Sequence, residues 1–145
     1  MGATRFKIIS RKLIGDDSLY KDIGPYEFIT GRLYYSVDPK HPDSQLITDI
    51  DLIPTNNKGE VEFSSDIQLL KPVNMKDDSN LLFDVVNRGN RNVLGFNNAV
   101  HILSDEDPDL GNEFLMKQGT VVVFCGWQTD VPDGRIRLHV PEALD

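Results

Sequence analysis

Two short polar segments carry the residue types best suited to chemistry, and each follows an apolar run. The first follows residues 81–86 and the second follows residues 120–125. If such a segment forms a turn, its backbone N–H groups can stabilise a developing oxyanion that lies beside them. The alternative interpretation is that the first segment is only a polar loop after a buried strand, without a role in chemistry. The candidate oxyanion or pocket residues are Asn87, Arg88, Gly89 and Asn90 in the first segment and Trp127 and Gln128 in the second.

The side chains of these segments allow two further interpretations. Arg88 and Arg91 have the planar guanidinium groups that bind a substrate carboxylate through two parallel hydrogen bonds. Trp127 could line a pocket together with the Asn87 loop, or it could cover the top of the core. The sequence leaves these alternatives open.

No nucleophile can be assigned with its activating base. None of the serines has glycine two residues before and two residues after it, so the sharp strand-to-helix turn that exposes a nucleophilic serine is missing. Cys125 precedes Gly126, but turn-forming residues follow it where a nucleophile elbow continues into a helix. A structural thiol is therefore the favoured interpretation, and no catalytic residue is predicted.

The acidic stretch near residue 107 has the alternate spacing of a calcium loop but lacks the rest of that motif. Asp105, Asp107 and Asp109 are followed by Leu110 and Met116, where the loop needs its turn glycine and its bidentate glutamate. A solvated acidic loop is favoured instead. The three histidines, His41, His101 and His139, show no metal-ligand spacing, so no metal and no cofactor are predicted.

The first half of the chain is predicted to form strands. Residues 5–14 and 26–37 are strand-like, with a bulge expected at Gly31. Residues 47–53 and 61–70 flank a polar loop and predict a hairpin. Residues 81–86 are nearly all apolar, which is typical of a strand buried on both faces.

The second half predicts a strand, crossover helix and strand. Residues 113–118 form the expected helix, with Asp109 or Asn112 at its start and Gly119 as the left-handed residue after it. Residues 120–125 then pair in parallel with residues 81–86, which would bring the Asn87 loop and Trp127 to one edge. Residues 135–140 are predicted as a last strand. We expect a mainly β fold with a βαβ unit, forming one structural unit over residues 1–145.

Composition supports this architecture and limits the partners. The chain has 17 Asp but only 6 Glu, 10 Asn and 3 Ala, which disfavours helices, whereas Val, Ile and Thr together supply 29 residues. A net charge of −8 argues against nucleic acid, and no apolar run has the length of a membrane span. As written, the N-terminus predicts a cytoplasmic protein. A secreted or periplasmic one is the alternative if a signal peptide was removed.

Several motifs along the chain resemble the N-terminal region of the large bacterial "alpha/beta hydrolase domain" proteins. They are Gly24-Pro25-Tyr26-Glu27, Val37-Asp38-Pro39, Phe83-Asp84-Val85-Val86-Asn87-Arg88-Gly89-Asn90, Phe114-Leu115-Met116 and Gly126-Trp127-Gln128-Thr129-Asp130-Val131. The resemblance implies an α/β-hydrolase-like sheet with β-hairpins, in which the first strand of the βαβ unit delivers an oxyanion loop. It also implies that the nucleophile serine, the acid and the histidine lie beyond residue 145, because members of the family are several times longer.

Two hypotheses about function follow. The first is the N-terminal part of an esterase-like hydrolase, inactive alone, which acts on a small-molecule ester once a C-terminal portion completes it. The second is a stand-alone β-rich binding or interaction module. In the hydrolase arrangement, residues 81–86 lie next to the nucleophile-bearing strand, so we expect self-association or pairing with a C-terminal chain along this edge.

Overall fold

A computed structural model describes residues 2–14, 22–104 and 107–144, and shows a mainly β fold. Six strands form one mixed sheet in the order β1-β2-β3-β5-β4, and β6 pairs with β3 beside β5. The strands are β1 (Gly2–Ile14), β2 (Tyr26–Val37), β3 (Val61–Pro72), β4 (Leu81–Val85), β5 (Val121–Cys125) and β6 (Leu138–His139). Short helical segments connect them: 3₁₀ turns at Ser44–Leu46, Ile50–Leu52 and Asn92–Asn97, and helix α1 (Phe114–Lys117). The predicted β-rich class is confirmed.

The first three strands form an antiparallel meander. β2 pairs with β3 without interruption over its whole length, from Tyr26 opposite Pro72 to Val37 opposite Val61. The irregularity predicted for β2 at Gly31 lies instead in β1, where the pairing register shifts between Ile8 and Ser10. An inserted residue in an edge strand bends that strand and leaves its partner regular.

β4 and β5 are parallel neighbours, as the sequence predicts. Leu82 lies opposite Val122, and Asp84 lies opposite Phe124. The crossover contains α1, which Gly119 ends with a φ of +68°. Among the described residues, no helix is long and apolar enough to cross a membrane.

The main core lies on one face of the sheet. Buried side chains from β2, β3 and β5 pack there against buried residues of the Asn92–Asn97 turn and of α1: Tyr26, Phe28, Leu70, Val122, Phe124, Leu94, Leu115 and Met116. The Tyr26 hydroxyl donates to the carbonyl oxygens of Met116 and Thr120, at 3.2 and 3.0 Å. These bonds attach the end of α1 to β2, so the crossover is held on this face.

The predicted hairpin between residues 47–53 and 61–70 is wrong in its first strand. Ile50–Leu52 is a 3₁₀ turn, and Ile50 is buried with Val37 and Val61. The isoleucines of this segment are spaced by three residues, at 47, 50 and 53. That spacing suits a turn with three residues per repeat better than a strand, whose side chains alternate every two residues.

The prediction that residues 81–86 form a strand buried on both faces is also wrong. β4 is the edge of the sheet, and the side chains of Leu81, Phe83 and Val85 are 64%, 53% and 58% exposed. A continuous apolar run is typical of a strand that has layers packed on both faces of its sheet, and the described residues leave one face of β4 largely uncovered. The described helices cover the other face, on which Leu82 packs against the main core.

The predicted last strand is shorter than residues 135–140. Only Leu138 and His139 pair with β3, opposite Ser65 and Ser64. The chain before them approaches β3 through a single backbone bond, from Asp66 N–H to the Arg137 carbonyl at 2.9 Å. β6 therefore extends the line of β5 along the same side of β3.

We expect Gly31→Ala to destabilise the protein by about 1–3 kcal/mol, because a Cβ there overpacks the β1–β2 contact. A Cβ at Gly31 would lie 2.5 Å from the ring of Phe6 and 2.6 Å from the Lys7 carbonyl oxygen. Urea unfolding followed by circular dichroism measures the change. Gly95→Ala is the matched control, because a Cβ at Gly95 meets nothing within 4 Å. Equal stability of the two variants would contradict the close approach of β1.

Candidate functional site

The Asn87 loop and the Trp127 segment lie at the same end of the sheet, as the sequence predicts. They follow the C-terminal ends of the parallel strands β4 and β5, the edge at which α/β sheets usually bind ligands. Two hydrogen bonds join them. Trp127 Nε1 donates to the Val86 carbonyl, and the Arg88 N–H donates to Gln128 Oε1 at 2.8 Å. Two segments 40 residues apart in sequence thus form one surface.

The Asn87 loop is a tight turn held by its backbone. Asn90 N–H donates to the Asn87 carbonyl at 3.0 Å, and both central residues are left-handed, with φ of 53° at Arg88 and 74° at Gly89. A Cβ at Gly89 would lie 2.6 Å from the Arg135 Cβ. Glycine is therefore required here for both its φ angle and its close approach to the chain before β6.

The N–H groups of this turn are partly engaged within the protein. Gln128 accepts the N–H of Arg88, and the Asn87 carbonyl accepts the N–H of Asn90. The Asn90 side chain accepts a hydrogen bond from the Arg135 guanidinium. An oxyanion role for Arg88 N–H therefore requires the Gln128 side chain to move aside, so Gln128 controls access to this donor.

The two arginines of this region have different environments. The Arg88 guanidinium pairs with Asp130 at 2.9 Å, and both side chains are at least half exposed. Arg91 is fully buried and donates to Gln68 Oε1 at 2.7 Å and to the carbonyls of Leu103 and Ser104 at 2.9 and 3.1 Å. Of the two, Arg88 is thus accessible for binding a substrate carboxylate, whereas Arg91 ties the loop to the core.

Trp127 is half exposed beside the turn. Its side chain is 54% accessible, although its indole nitrogen is bonded to the β4 end. This exposure fits an aromatic at the rim of a binding surface better than one that seals the core. It is the largest accessible apolar side chain among the candidate site residues.

Cys125 lies among hydroxyl groups. Its Sγ lies 3.4 Å from Ser65 Oγ and 3.9 Å from the Tyr35 hydroxyl. Burial, with a smaller contribution from the neighbouring thiol, raises the pKa of Tyr35 to about 12. The contacts that the structure describes around Sγ include no imidazole and no carboxylate, so they provide no base to activate the thiol.

The acidic stretch is engaged in local bonds where the structure describes it. Asp109 accepts the backbone N–H groups of His101, Gly111 and Val100 at 2.9–3.0 Å, and these bonds lower its pKa. Asp107 pairs with Lys12. Asp105 lies outside the described residues. Within the described ranges, no group of three acidic, histidine or cysteine side chains could hold a metal ion.

A charged cluster that sequence reasoning missed joins β2, β3 and β6. Asp66 Oδ1 lies 2.9 Å from Arg32 Nη2 and 3.0 Å from His139 Nε2. The three residues come from β2, β3 and β6, and no local motif connects them. The cluster secures β6 against β3 and holds the last strand beside the candidate site.

We expect Arg91→Lys to lower the free energy of unfolding by roughly 2 kcal/mol or more. A single ammonium group cannot replace all the guanidinium donors, so some of the buried acceptors around Arg91 would be left without a hydrogen bond. Urea denaturation provides the measurement. Arg88→Lys, three residues away, is the control and should change stability by less than about 0.5 kcal/mol, since its ion pair is exposed. Comparable losses in both variants would refute the structural role of Arg91.

Comparisons of this chain with protein-family models, with curated proteins and with solved structures found no match.

Proposed function

We propose that this chain is the N-terminal part of an esterase-like α/β-hydrolase and contributes scaffold and pocket residues without catalytic ones. Among the described residues no strand pairs with the outer edge of β4, and this is the observation that carries the proposal. In the hydrolase arrangement that the sequence resembles, the strand at this position lies between the β5 equivalent and the nucleophile-bearing strand. The parallel β4–β5 pair, with a short crossover helix, supports the same interpretation.

The backbone of β4 is oriented to accept another strand. The Asn80 carbonyl accepts the Val121 N–H at 2.8 Å, so the even-numbered residues bond toward β5. Alternate residues direct their backbone groups to opposite edges, and those of Leu81, Phe83 and Val85 therefore point away from β5. The same three residues expose their side chains. An added strand would bond to this edge, and a layer packed on the open face would cover these side chains.

The candidate site has a defined place in this proposal. In this proposal the turn that follows β4 would act as the oxyanion loop, which α/β-hydrolases deliver from the corresponding strand. Gln128 holds the N–H of Arg88, and Trp127 provides an apolar wall beside it. A small-molecule ester would bind at this edge, and the C-terminal portion would supply the serine, the acid and the histidine.

A stand-alone binding or interaction module is the second candidate. The exposed apolar row of β4 and the half-exposed Trp127 favour it, because large accessible apolar side chains mark interaction surfaces. The coding sequence past Asp145 separates the two proposals. In-frame continuation supports the hydrolase, whereas a stop codon at that point supports the module.

We expect the isolated chain to hydrolyse p-nitrophenyl acetate no faster than background, because acyl transfer needs a nucleophile activated by a positioned base. Initial rates over a range of substrate concentrations provide the measurement. Cys125→Ala is the control for reaction of the thiol. Saturable turnover that survives this substitution and repeated purification would reveal a catalytic site in this chain.

We expect the isolated chain to self-associate through β4, with a molar mass that rises with concentration. Size-exclusion chromatography with light scattering measures it. Phe83→Lys should reduce association, because a lysine on an edge strand opposes pairing with another chain. Leu46→Lys is the control, since Leu46 is 85% exposed in the 3₁₀ turn Ser44–Leu46, which connects β2 to β3. A monomeric wild type, or an equal change in association in both lysine variants, would contradict self-association through the edge of β4.

A further inference from the structure

An apolar cavity of about 370 Å³ lies between the end of β2, the start of β3 and the residues around β6. Its walls come from four stretches of chain and are almost entirely aliphatic. Val37, Ile50 and Val61 are buried with 3–5% exposure. The lining residues are Val37, Ile47, Thr48, Ile50, Ile53, Val61, Phe63, Leu138, Val140 and Pro141.

The surrounding bonds hold this cavity in shape. The Leu144 N–H donates to the Leu52 carbonyl at 2.9 Å, so the chain after β6 is tied to the 3₁₀ turn on the opposite wall. Leu138 N–H donates to the Gln128 carbonyl, also at 2.9 Å. Because Gln128 also bonds Arg88, one wall is fixed to the candidate site.

The size of the cavity selects a small ligand. A cavity of roughly 150 Å³ already accommodates benzene, and small-molecule sites begin near 300 Å³. About 370 Å³ therefore suits a medium-length alkyl chain. The rim is apolar as well, since Ile47 and Val140 are about half exposed.

The charges around the cavity select an uncharged ligand. No lining side chain is charged, and Thr48 supplies the one hydroxyl group. Asp49 and Asp51 flank Ile50 in the chain, and both are exposed. The Arg137 guanidinium, which precedes the lining residue Leu138 in the chain, does not offset these carboxylates, because it pairs with Asp133. A ligand with an anionic head group would meet repulsion at this rim.

We propose that this cavity binds an uncharged aliphatic chain, such as the alkyl group of an alcohol or an ester. The site is separate from the edge of β4. It would therefore exist whether or not the chain is part of a hydrolase. The proposal is tested by binding and not by enzymatic activity.

Titration of the ¹⁵N-labelled chain with 1-octanol, followed by amide chemical shifts, tests the proposal. We expect saturable shifts at residues around the cavity, including Val37, Ile50, Val61 and Leu138. Sodium octanoate at pH 7 should bind several-fold more weakly. Absence of saturation with octanol, equal binding of octanoate, or shifts that map to β4 would overturn the proposal.

A cavity-filling variant provides the second arm of the experiment. Ile53→Phe places a larger side chain in the lining and should weaken octanol binding about tenfold or more. Leu46→Phe is the matched control, because Leu46 is 85% exposed and does not line the cavity. Unchanged binding in a folded Ile53→Phe protein would place the ligand elsewhere. The wild-type shift map decides the question if that variant does not fold.

Discussion

The central strand β3 is hydrogen-bonded to other strands on both of its sides. Over its 12 residues it pairs with the whole of β2 on one side. On the other side it pairs first with β6, through Ser64 and Ser65, and then with β5 from Ile67 to Leu70. Only Asp66 separates the two, and its N–H and carbonyl bond the Arg137 carbonyl and the Gly126 N–H. The end of β5 and the start of β6, which are distant in the chain, therefore meet beside Asp66 of β3. The Trp127 segment of the candidate site follows β5 at this point.

The two faces of the sheet have different environments. On one face, α1 and the Asn92–Asn97 turn bury a continuous core with β2, β3 and β5. On the other face, Val121 and Val123 are buried in the sheet, but the neighbouring side chains of β4 are more than half exposed. The exposed apolar side chains of β4 favour burial, and its unpaired backbone groups are a template for pairing with another strand. A strand paired along β4 would bond these backbone groups, and a layer on the open face would bury the side chains, which is why the proposed function places the next strand there.

Gln128 connects the candidate site to the aliphatic cavity. Gln128 accepts the Arg88 N–H through its side chain and the Leu138 N–H through its carbonyl. The turn after β4 and the cavity wall are thus connected through a single residue. If the chain forms part of a hydrolase, this arrangement would place an alkyl-binding surface near an oxyanion loop, which are the two features that ester recognition needs.

Local sequence determined much of the scaffold. The strand-forming residues and intervening turns of β1 to β3, the apolar run of β5 and the glycine after α1 are short-range signals, and each predicted its element. The parallel pairing of β4 with β5, and hence the common edge for the Asn87 loop and Trp127, followed from the crossover between the two strands. Tertiary structure decided what depends on distant neighbours. Ile50 is buried against Val37 and Val61, which are distant in the chain, and β4 exposes one face because the described residues pack no layer on it. Likewise, the pairing of His139 with Asp66 and of Arg88 with Gln128 joins residues far apart in the chain, which no periodicity or spacing can indicate.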